Sequence, residues 1–215
     1  LADTIPNKVG GADWLPDGRS FFYSRLRDVE DPYSRQIRHH VLGTHPRDDA
    51  TLYEQHSTTW GPFAYPGPQG RWLILGYYTS TRTNDLWVCD LDLWRRTGKL
   101  VKTTILEGPE ASGYGPVEGD TLFLRTTTGA PTGQVVAVDL HDPSQRQIVV
   151  PARKDFVIRS VDVARGMLVV TGLHKACTRI ERYTFSGKAL GALELPGIGS
   201  ASISVERDRV EAYLS

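Results

Sequence analysis

The chain has 215 residues, of which 25 are basic and 25 acidic, so its formal net charge is zero. This balance argues against the broad positive field with which proteins attract nucleic acids or anionic membrane surfaces. No apolar run approaches the roughly 18 residues of a membrane span, and no signal peptide is recognisable. Because only Cys89 and Cys177 occur, a disulfide scaffold is excluded, and we predict a cytoplasmic protein that contacts neither nucleic acid nor membrane.

A block of about 50 residues repeats along the chain, and each copy begins with a strand that ends at a turn glycine. These glycines are Gly18, Gly70, Gly119 and Gly166, so successive copies are offset by 52, 49 and 47 residues. We predict that each glycine has a positive φ angle or closes a tight two-residue turn, which a β-carbon would strain. The predicted repeats cover residues 9–56, 60–108, 112–151 and 157–196, followed by a partial copy at 198–215.

Three further strands follow the turn in every block, in the same order. The second strands are short apolar runs at 20–25, 72–79, 121–126 and 167–173. Third strands are predicted at 36–42, 85–91, 134–140 and 179–185, and fourth strands at 51–54, 102–106, 146–150 and 190–195. The second strands are rich in β-branched and aromatic residues, as is typical of strands. Since no segment keeps a 3.6-residue apolar period over three helical turns, we predict an all-β chain.

Four short strands per block, with no helix between blocks, predict the four-stranded antiparallel blades of a β-propeller. A single blade leaves both of its apolar faces uncovered, and stacking against neighbouring blades buries them. The alternative fold is a β-sandwich, but a sandwich gives no reason for the same turn to return at a nearly constant step. We therefore predict one partial β-propeller domain over residues 1–215.

Particular residues of these blocks resemble one protein family. Residues 14–25, together with 36–44, are similar to a blade in the propeller domain of the prolyl oligopeptidase family of serine peptidases. Residues 71–75 and 84–91 are similar to that family's following blade, and 114–128 with Ala130, Pro131 and 138–140 continue in the family's order. The resemblance covers essentially the whole chain. Neither the Gly-His and Trp-Asp signature nor the kelch Gly-Gly pattern of other propellers recurs.

The resemblance implies an incomplete portion of a seven-bladed propeller whose partner is the family's α/β-hydrolase catalytic domain, outside residues 1–215. The implied reaction of the parent is hydrolysis of oligopeptides after proline by a Ser/Asp/His triad in that domain, to which the propeller restricts access. The chain itself has no Gly-x-Ser-x-Gly nucleophile motif, because Ser20 has Gly18 two residues before it but Phe22 two residues after it. The alternative function is a stand-alone β-propeller scaffold for protein interactions.

Cys89 and Asp85 are the candidate site residues, and both follow from the same resemblance. Cys89 falls where the family has a cysteine in a Trp-x-Cys-Asp-Leu strand near the substrate cavity. The alternative role of Cys89 is that of a small buried apolar residue. Asp85 follows Asn84 at a position where the family often has arginine, so a contact of that arginine with substrate would be lost or reversed in sign. We predict no catalytic, cofactor or metal-binding residue in the chain.

The histidines offer no metal site. Successive side chains of a strand alternate between its faces, so adjacent His39 and His40 point apart and cannot chelate one metal together. We expect them to pack between blades or at the surface. The other histidines and the short acidic runs also lack the spacing of zinc or calcium ligands.

The ends of the predicted array are open. An array of four and a half blades cannot close a seven-bladed ring, so apolar blade faces and a strand edge stay uncovered. We therefore expect the isolated chain either to self-associate or to use residues 1–8 as an outer strand of a strained smaller ring.

Overall fold

Antiparallel strands account for nearly all of the regular structure in the computed structural model, which describes residues 3–57, 61–108, 110–209 and 211–215. The strands form successive meander sheets, in each of which neighbours along the chain are paired. The chain divides into two compact units, Leu1–Ala111 and Ser112–Ser215.

The first unit holds two four-stranded sheets. The first sheet consists of β1 (Gly10–Trp14), β2 (Ser20–Leu26), β3 (Arg35–Val41) and β4 (Ala50–Glu54), in that order. The second consists of β5 (Gly61–Pro66), β6 (Trp72–Tyr78), β7 (Asn84–Asp90) and β8 (Thr103–Leu106). A 3-10 helix, Pro46–Asp48, lies before β4, and a short α-helix, α1 (Leu91–Thr97), lies between β7 and β8.

The second unit holds the third and fourth sheets and a final two-stranded sheet. In the third sheet, β9 (Gly113–Tyr114) and β10 (Val117–Glu118) both pair with β11 (Thr121–Thr126), which β12 (Gln134–Asp139) and β13 (Arg146–Val150) follow. The fourth sheet consists of β14 (Val157–Ala164), β15 (Met167–His174), β16 (Cys177–Tyr183) and β17 (Ala189–Ala192). The last pair is β18 (Ile203–Val205) and β19 (Ala212–Leu214).

Each unit has a hydrophobic core to which its two large sheets contribute. In the first unit, Phe22 and Ile37 of the first sheet pack with Leu73 and Leu75 of the second, and both leucines are fully buried. Burying one such side chain is worth roughly 1.5–3 kcal/mol relative to leaving it exposed. The second unit repeats the arrangement with these residues: Phe123, Val135, Val149, Val161, Leu168, Val170 and Tyr183.

The four turn glycines all have positive φ angles, as the repeat predicts. The values are +63° at Gly18, +72° at Gly70, +57° at Gly119 and +75° at Gly166. Residues with a β-carbon are strained in this left-handed region, which explains why glycine returns at each turn between the first two long strands. Only at Gly70 among these four is the space around the absent β-carbon also occupied, by Pro16.

Helix α1 is a difference from the predicted structure. We expected the third strand of the second block to end at Leu91, but the helix begins there. The Asp90 side chain caps its start by accepting hydrogen bonds from the backbone N–H groups of Asp92 and Leu93, and Gly98 ends it with φ +67°. A helix of seven residues is too short to show an apolar period, so the sequence pattern does not indicate it.

The alternative in which residues 1–8 form an outer strand is wrong for the residues that the structure describes. Residues 3–9 contain no strand. The carboxylate of Asp3 instead accepts a hydrogen bond from the backbone N–H of Gly43 at 2.6 Å and lies 3.2 Å from His40 Nε2. The segment is thus attached to the first sheet by polar side-chain contacts and not by a strand ladder.

Candidate functional site

Cys89 lies on the face of the second sheet that packs against the first. Its side chain is 1% exposed and belongs to the same cluster as Phe22, Leu73 and Leu75. Burial raises the pKa of the thiol to about 12, against a smaller opposing effect of the nearby Lys102 charge. The thiol is therefore protonated at neutral pH and is no nucleophile. The family-based role of Cys89 at a substrate cavity stays a prediction.

Asp85 lies four residues before Cys89 on the same face of β7, so the two side chains are separated by roughly 13 Å of strand. Asp85 is 5% exposed, and its carboxylate accepts a hydrogen bond from the backbone N–H of Gly108 at 3.0 Å. The structure thus gives Asp85 a role in holding the loop after β8. A contact of Asp85 with substrate stays a prediction.

A cavity that the sequence analysis did not anticipate lies between β1 and β5. Its volume is about 160 Å³, and its walls come from both sheets of the first unit. Phe22, Ile37, Phe63 and Ala64 supply apolar surface, and Asp13 supplies a carboxylate. The register of β1 against β2 shifts between Gly10 and Asp13, which is the mark of a β-bulge. Such irregularities re-aim side chains and are frequent beside functional sites.

Asp13 has an unfavourable electrostatic environment. It keeps an exposed surface, but the protein around it removes part of its hydration, and this desolvation raises the pKa of its carboxyl above the usual 3.8. In the described part of the chain, no donor forms a hydrogen bond or ion pair with it. An ionised carboxylate that lacks a partner and part of its water is destabilising.

We therefore expect Asp13→Asn to raise the melting temperature of the chain at pH 7. A carboxyl whose pKa is raised on folding destabilises the folded chain above that pKa, and the penalty disappears as pH falls to the unfolded pKa of 3.8. The gain from asparagine should therefore be full at pH 7 and shrink toward pH 3.8. Thermal denaturation at a series of pH values measures this. Glu30→Gln removes an exposed carboxylate of the first unit and should leave the melting temperature unchanged. A lower melting temperature for Asp13→Asn at pH 7 would contradict the interpretation.

His39 and His40 point to opposite faces of β3, as predicted. The His39 ring packs edge-on against Trp94 of α1, with centroids 5.2 Å apart. His40 is fully buried, and its Nδ1 lies 2.8 Å from Asp49 Oδ1. The other carboxylate oxygen of Asp49 accepts a 2.6 Å hydrogen bond from the Tyr23 hydroxyl. These contacts join β2, β3 and the loop before β4.

The fourth sheet carries a second buried polar group that the sequence analysis missed. Glu181 is 5% exposed, and its Oε1 accepts hydrogen bonds from Arg179 at 2.6 Å and Arg153 at 2.9 Å. The Tyr183 hydroxyl donates to Oε2 at 2.5 Å. Burial alone would raise the pKa of Glu181, but the hydrogen bonds from Arg153, Tyr183 and Arg179 outweigh it and lower the pKa to about 2.

Ser20 lies in a strand, and the described residues contain neither a grouped set of metal ligands nor a membrane-spanning helix. Ser20 is the first residue of β2 and pairs with Val41, which fits its prediction as a strand residue. Within residues 3–57, 61–108, 110–209 and 211–215, no three side chains of His, Cys, Asp or Glu are grouped to hold a metal ion. In the same ranges, no helix has the length and apolar character needed to cross a membrane.

Comparison with known proteins relates this geometry to one family. A family model described as the N-terminal β-propeller domain of prolyl oligopeptidase matches residues 1–215. The prolyl endopeptidase of Elizabethkingia miricola is 26% identical over 223 residues, an alignment that covers 97% of this chain and 30% of that protein.

Solved structures of the same family share the fold. A prolyl endopeptidase structure matches with a TM-score of 0.86 and 25% identity, covering 95% of this chain and 31% of its own. Prolyl oligopeptidase B of Galerina marginata matches with a TM-score of 0.85 and 22% identity, covering 97% of this chain and 30% of its own. The predicted fold class, the blades of an incomplete β-propeller, is confirmed. The chain spans about 30% of the length of the relatives that it matches.

Proposed function

Because this chain belongs to the N-terminal β-propeller domain of the prolyl oligopeptidase family, we propose that it controls the access of oligopeptides to the catalytic domain of a serine peptidase. The catalytic α/β-hydrolase domain lies outside residues 1–215 and carries the Ser/Asp/His triad that cleaves after proline. The observation that carries the proposal is the match of the family's propeller over residues 1–215, in a sequence without a nucleophile motif.

The relatives support the proposal that the propeller and the catalytic domain have separate roles. They consist of a propeller and a catalytic domain, and this chain corresponds to about 30% of their length. Inter-domain dynamics have a role in catalysis and specificity in the solved prolyl endopeptidases, and the Galerina enzyme binds a 35mer peptide substrate. Two cysteines that are both free fit a reducing compartment, so the cytoplasm is part of this proposal.

A fluorophosphonate probe tests whether catalysis lies outside residues 1–215. We expect the purified chain to remain unlabelled and not to cleave a chromogenic proline peptide, because it has no activated serine. The complete product of the open reading frame should be labelled on one serine and should cleave the peptide. Stoichiometric labelling of any serine within residues 1–215 would contradict the assignment. A complete gene product without a reactive serine would support the interaction scaffold instead.

Access control needs a separate experiment on the complete gene product. Unfolded polypeptides of increasing length, each carrying the same proline site, should be cleaved with a kcat/KM that falls as length increases. Unfolded substrates remove the effect of substrate folding, so the loss would reflect entry to the active site. Equal kcat/KM values for short and long substrates would contradict the gating role and leave the family assignment intact.

The isolated chain is expected to self-associate. Tyr213 and Leu214 of β19 are 64% and 44% exposed, and Ile198 is 95% exposed. β19 pairs only with β18 in the described residues, so its other edge is open to a further strand. Light scattering over a range of concentrations should show a rising apparent mass. A constant monomer mass up to the concentrations used for crystallisation would contradict this prediction.

A further inference from the structure

The cavity between β1 and β5 combines apolar walls with one carboxylate that has no partner. About five water molecules would fill its 160 Å³ at roughly 30 Å³ each. This space can hold the end of a flexible side chain. Phe22, Ile37 and Phe63 offer contact to methylene groups, and Asp13 offers contact to a charge at their end.

The hydroxyl groups of Ser24 and Tyr23, which also line the cavity, have hydrogen-bond partners other than Asp13. The Ser24 hydroxyl donates to the Gly10 carbonyl oxygen at 2.9 Å and accepts from Arg35 Nη1 at 3.2 Å. The Arg35 guanidinium, which lies near Gly10, thus donates to a neutral oxygen, and no described cation lies in contact with the Asp13 carboxylate. A ligand that brings its own positive charge would supply the missing partner.

The backbone of β1 leaves this carboxylate accessible. Gly11 has φ +68°, and a β-carbon there would lie 3.8 Å from Asp13 Oδ2. A β-carbon at Gly10 would lie 3.3 Å from the Ser24 hydroxyl oxygen. The two glycines thus keep side-chain atoms away from the approach to Asp13. β1 is also an edge strand of the first sheet, so an extended peptide has free backbone groups beside which to lie.

We propose that the cavity between β1 and β5 is a binding site for the primary ammonium group of a peptide, with Asp13 as its counter-ion. The ammonium can come from a lysine side chain or from a peptide N-terminus, since both present the same –NH₃⁺ group on a flexible carbon chain. This inference rests on the proposed peptidase function. Under that function the site defines a substrate class, namely oligopeptides with a positive charge that reaches Asp13. The binding itself requires only the first unit of the chain.

Nuclear magnetic resonance titration of the chain 1–215 tests the site. The readout is the amide chemical shift of Gly10 and Gly11. Three peptide probes separate the two sources of the ammonium group. Acetyl-Gly-Lys-Gly-amide carries only the lysine ammonium, and uncapped Gly-Gly-Gly-amide carries only the N-terminal one. Acetyl-Gly-norleucine-Gly-amide has a similar apolar chain and no ammonium. We expect saturable shifts with one or both charged probes and none with the norleucine probe. Equal binding of the norleucine probe would overturn the proposal.

Variants of Asp13 connect the binding to the carboxylate. Asp13→Asn should weaken the affinity for the charged probe roughly two- to fivefold, the scale of one solvent-exposed charge pair. Glu30→Gln, which removes an exposed carboxylate elsewhere in the first unit, should bind as the wild type does. Asp13→Ser provides a second neutral variant if Asp13→Asn does not fold. Unchanged affinity in a folded neutral variant would overturn the proposal.

These titrations do not depend on the proposed peptidase function. Binding is measured on a chain without a nucleophile, so a failure to find proline-specific cleavage in the complete gene product would leave the result standing. Conversely, cleavage of proline peptides with no effect of Asp13→Asn on binding would support the family function and reject the ammonium site.

Discussion

Glu181→Gln is expected to lower the free energy of unfolding by roughly 1–3 kcal/mol at pH 7, because hydrogen bonds to the ionised carboxylate lower its pKa from 4.5 to about 2. Each pKa unit corresponds to at most about 1.4 kcal/mol here, since Arg153 and Arg179 are partly exposed and solvent screens their charges. Glutamine has nearly the same volume but no charge for Arg153 and Arg179. It also leaves two guanidinium groups facing each other beside the fourth sheet, without the carboxylate that they share. Chemical denaturation of the two proteins measures the difference.

The stability difference between wild type and Glu181→Gln should depend on pH. A carboxyl whose pKa is lowered on folding stabilises the folded chain above its unfolded pKa, and that stabilisation is lost as pH falls through its folded pKa. The difference between wild type and Glu181→Gln should therefore be full above pH 4.5 and shrink toward pH 2. Glu194→Gln, at an exposed carboxylate just after β17, is the matched control and should change little. A difference that stays constant between pH 7 and pH 2 would contradict the electrostatic explanation.

The repeat of the turn glycines predicted much of the fold, because the requirement for a positive φ angle is local and recurs in every block. Gly18, Gly70, Gly119 and Gly166 each lie between two paired strands with the expected backbone angle. The second strands were also predictable, since buried strands are short and rich in apolar residues. Strand ends were less accurate, as at Leu91, where capping by Asp90 decides between strand and helix.

The polar groups were not predictable, because they join residues that are far apart in the sequence. Arg153 and Glu181 belong to different segments, and only the pairing of β14, β15 and β16 brings them together. His40 likewise meets Asp3 and Asp49 through the turn before β4 and the segment before β1. No spacing rule for a metal or a catalytic motif applies to such pairs, so the sequence held no signal for them.

The sequence around Asp13 contains a sign of the β-bulge that was not interpreted as one. Two successive glycines, Gly10 and Gly11, begin the strand that carries Asp13, and glycine weakens a strand because it adds no packing and increases the flexibility of the backbone. Interpreted as a β-bulge, the pair would have indicated a site at the edge of the first sheet. The cavity itself also needs β5, which follows after three intervening strands, and its volume could not be inferred.

Gly70→Val is expected to destabilise the first unit by roughly 2–4 kcal/mol, through backbone strain at a positive φ angle together with overpacking. The φ angle of Gly70 is +72°, which a β-branched residue adopts only at a cost. A β-carbon there would also lie 2.9 Å from Pro16 Cδ and 3.0 Å from Pro16 Cγ, and the proline ring cannot rotate away. Thermal or chemical denaturation measures the loss.

Gly18→Val separates the two causes within the same unit. Gly18 has nearly the same φ angle, +63°, but no atom lies within 4 Å of where its β-carbon would be. This variant should therefore show the backbone strain alone, roughly 1–2 kcal/mol. The excess loss in Gly70→Val then measures the contact with Pro16, through which the turn of the second sheet packs on the turn of the first. Equal losses in the two variants would show that the Pro16 contact adjusts freely and that only the φ angle requires glycine.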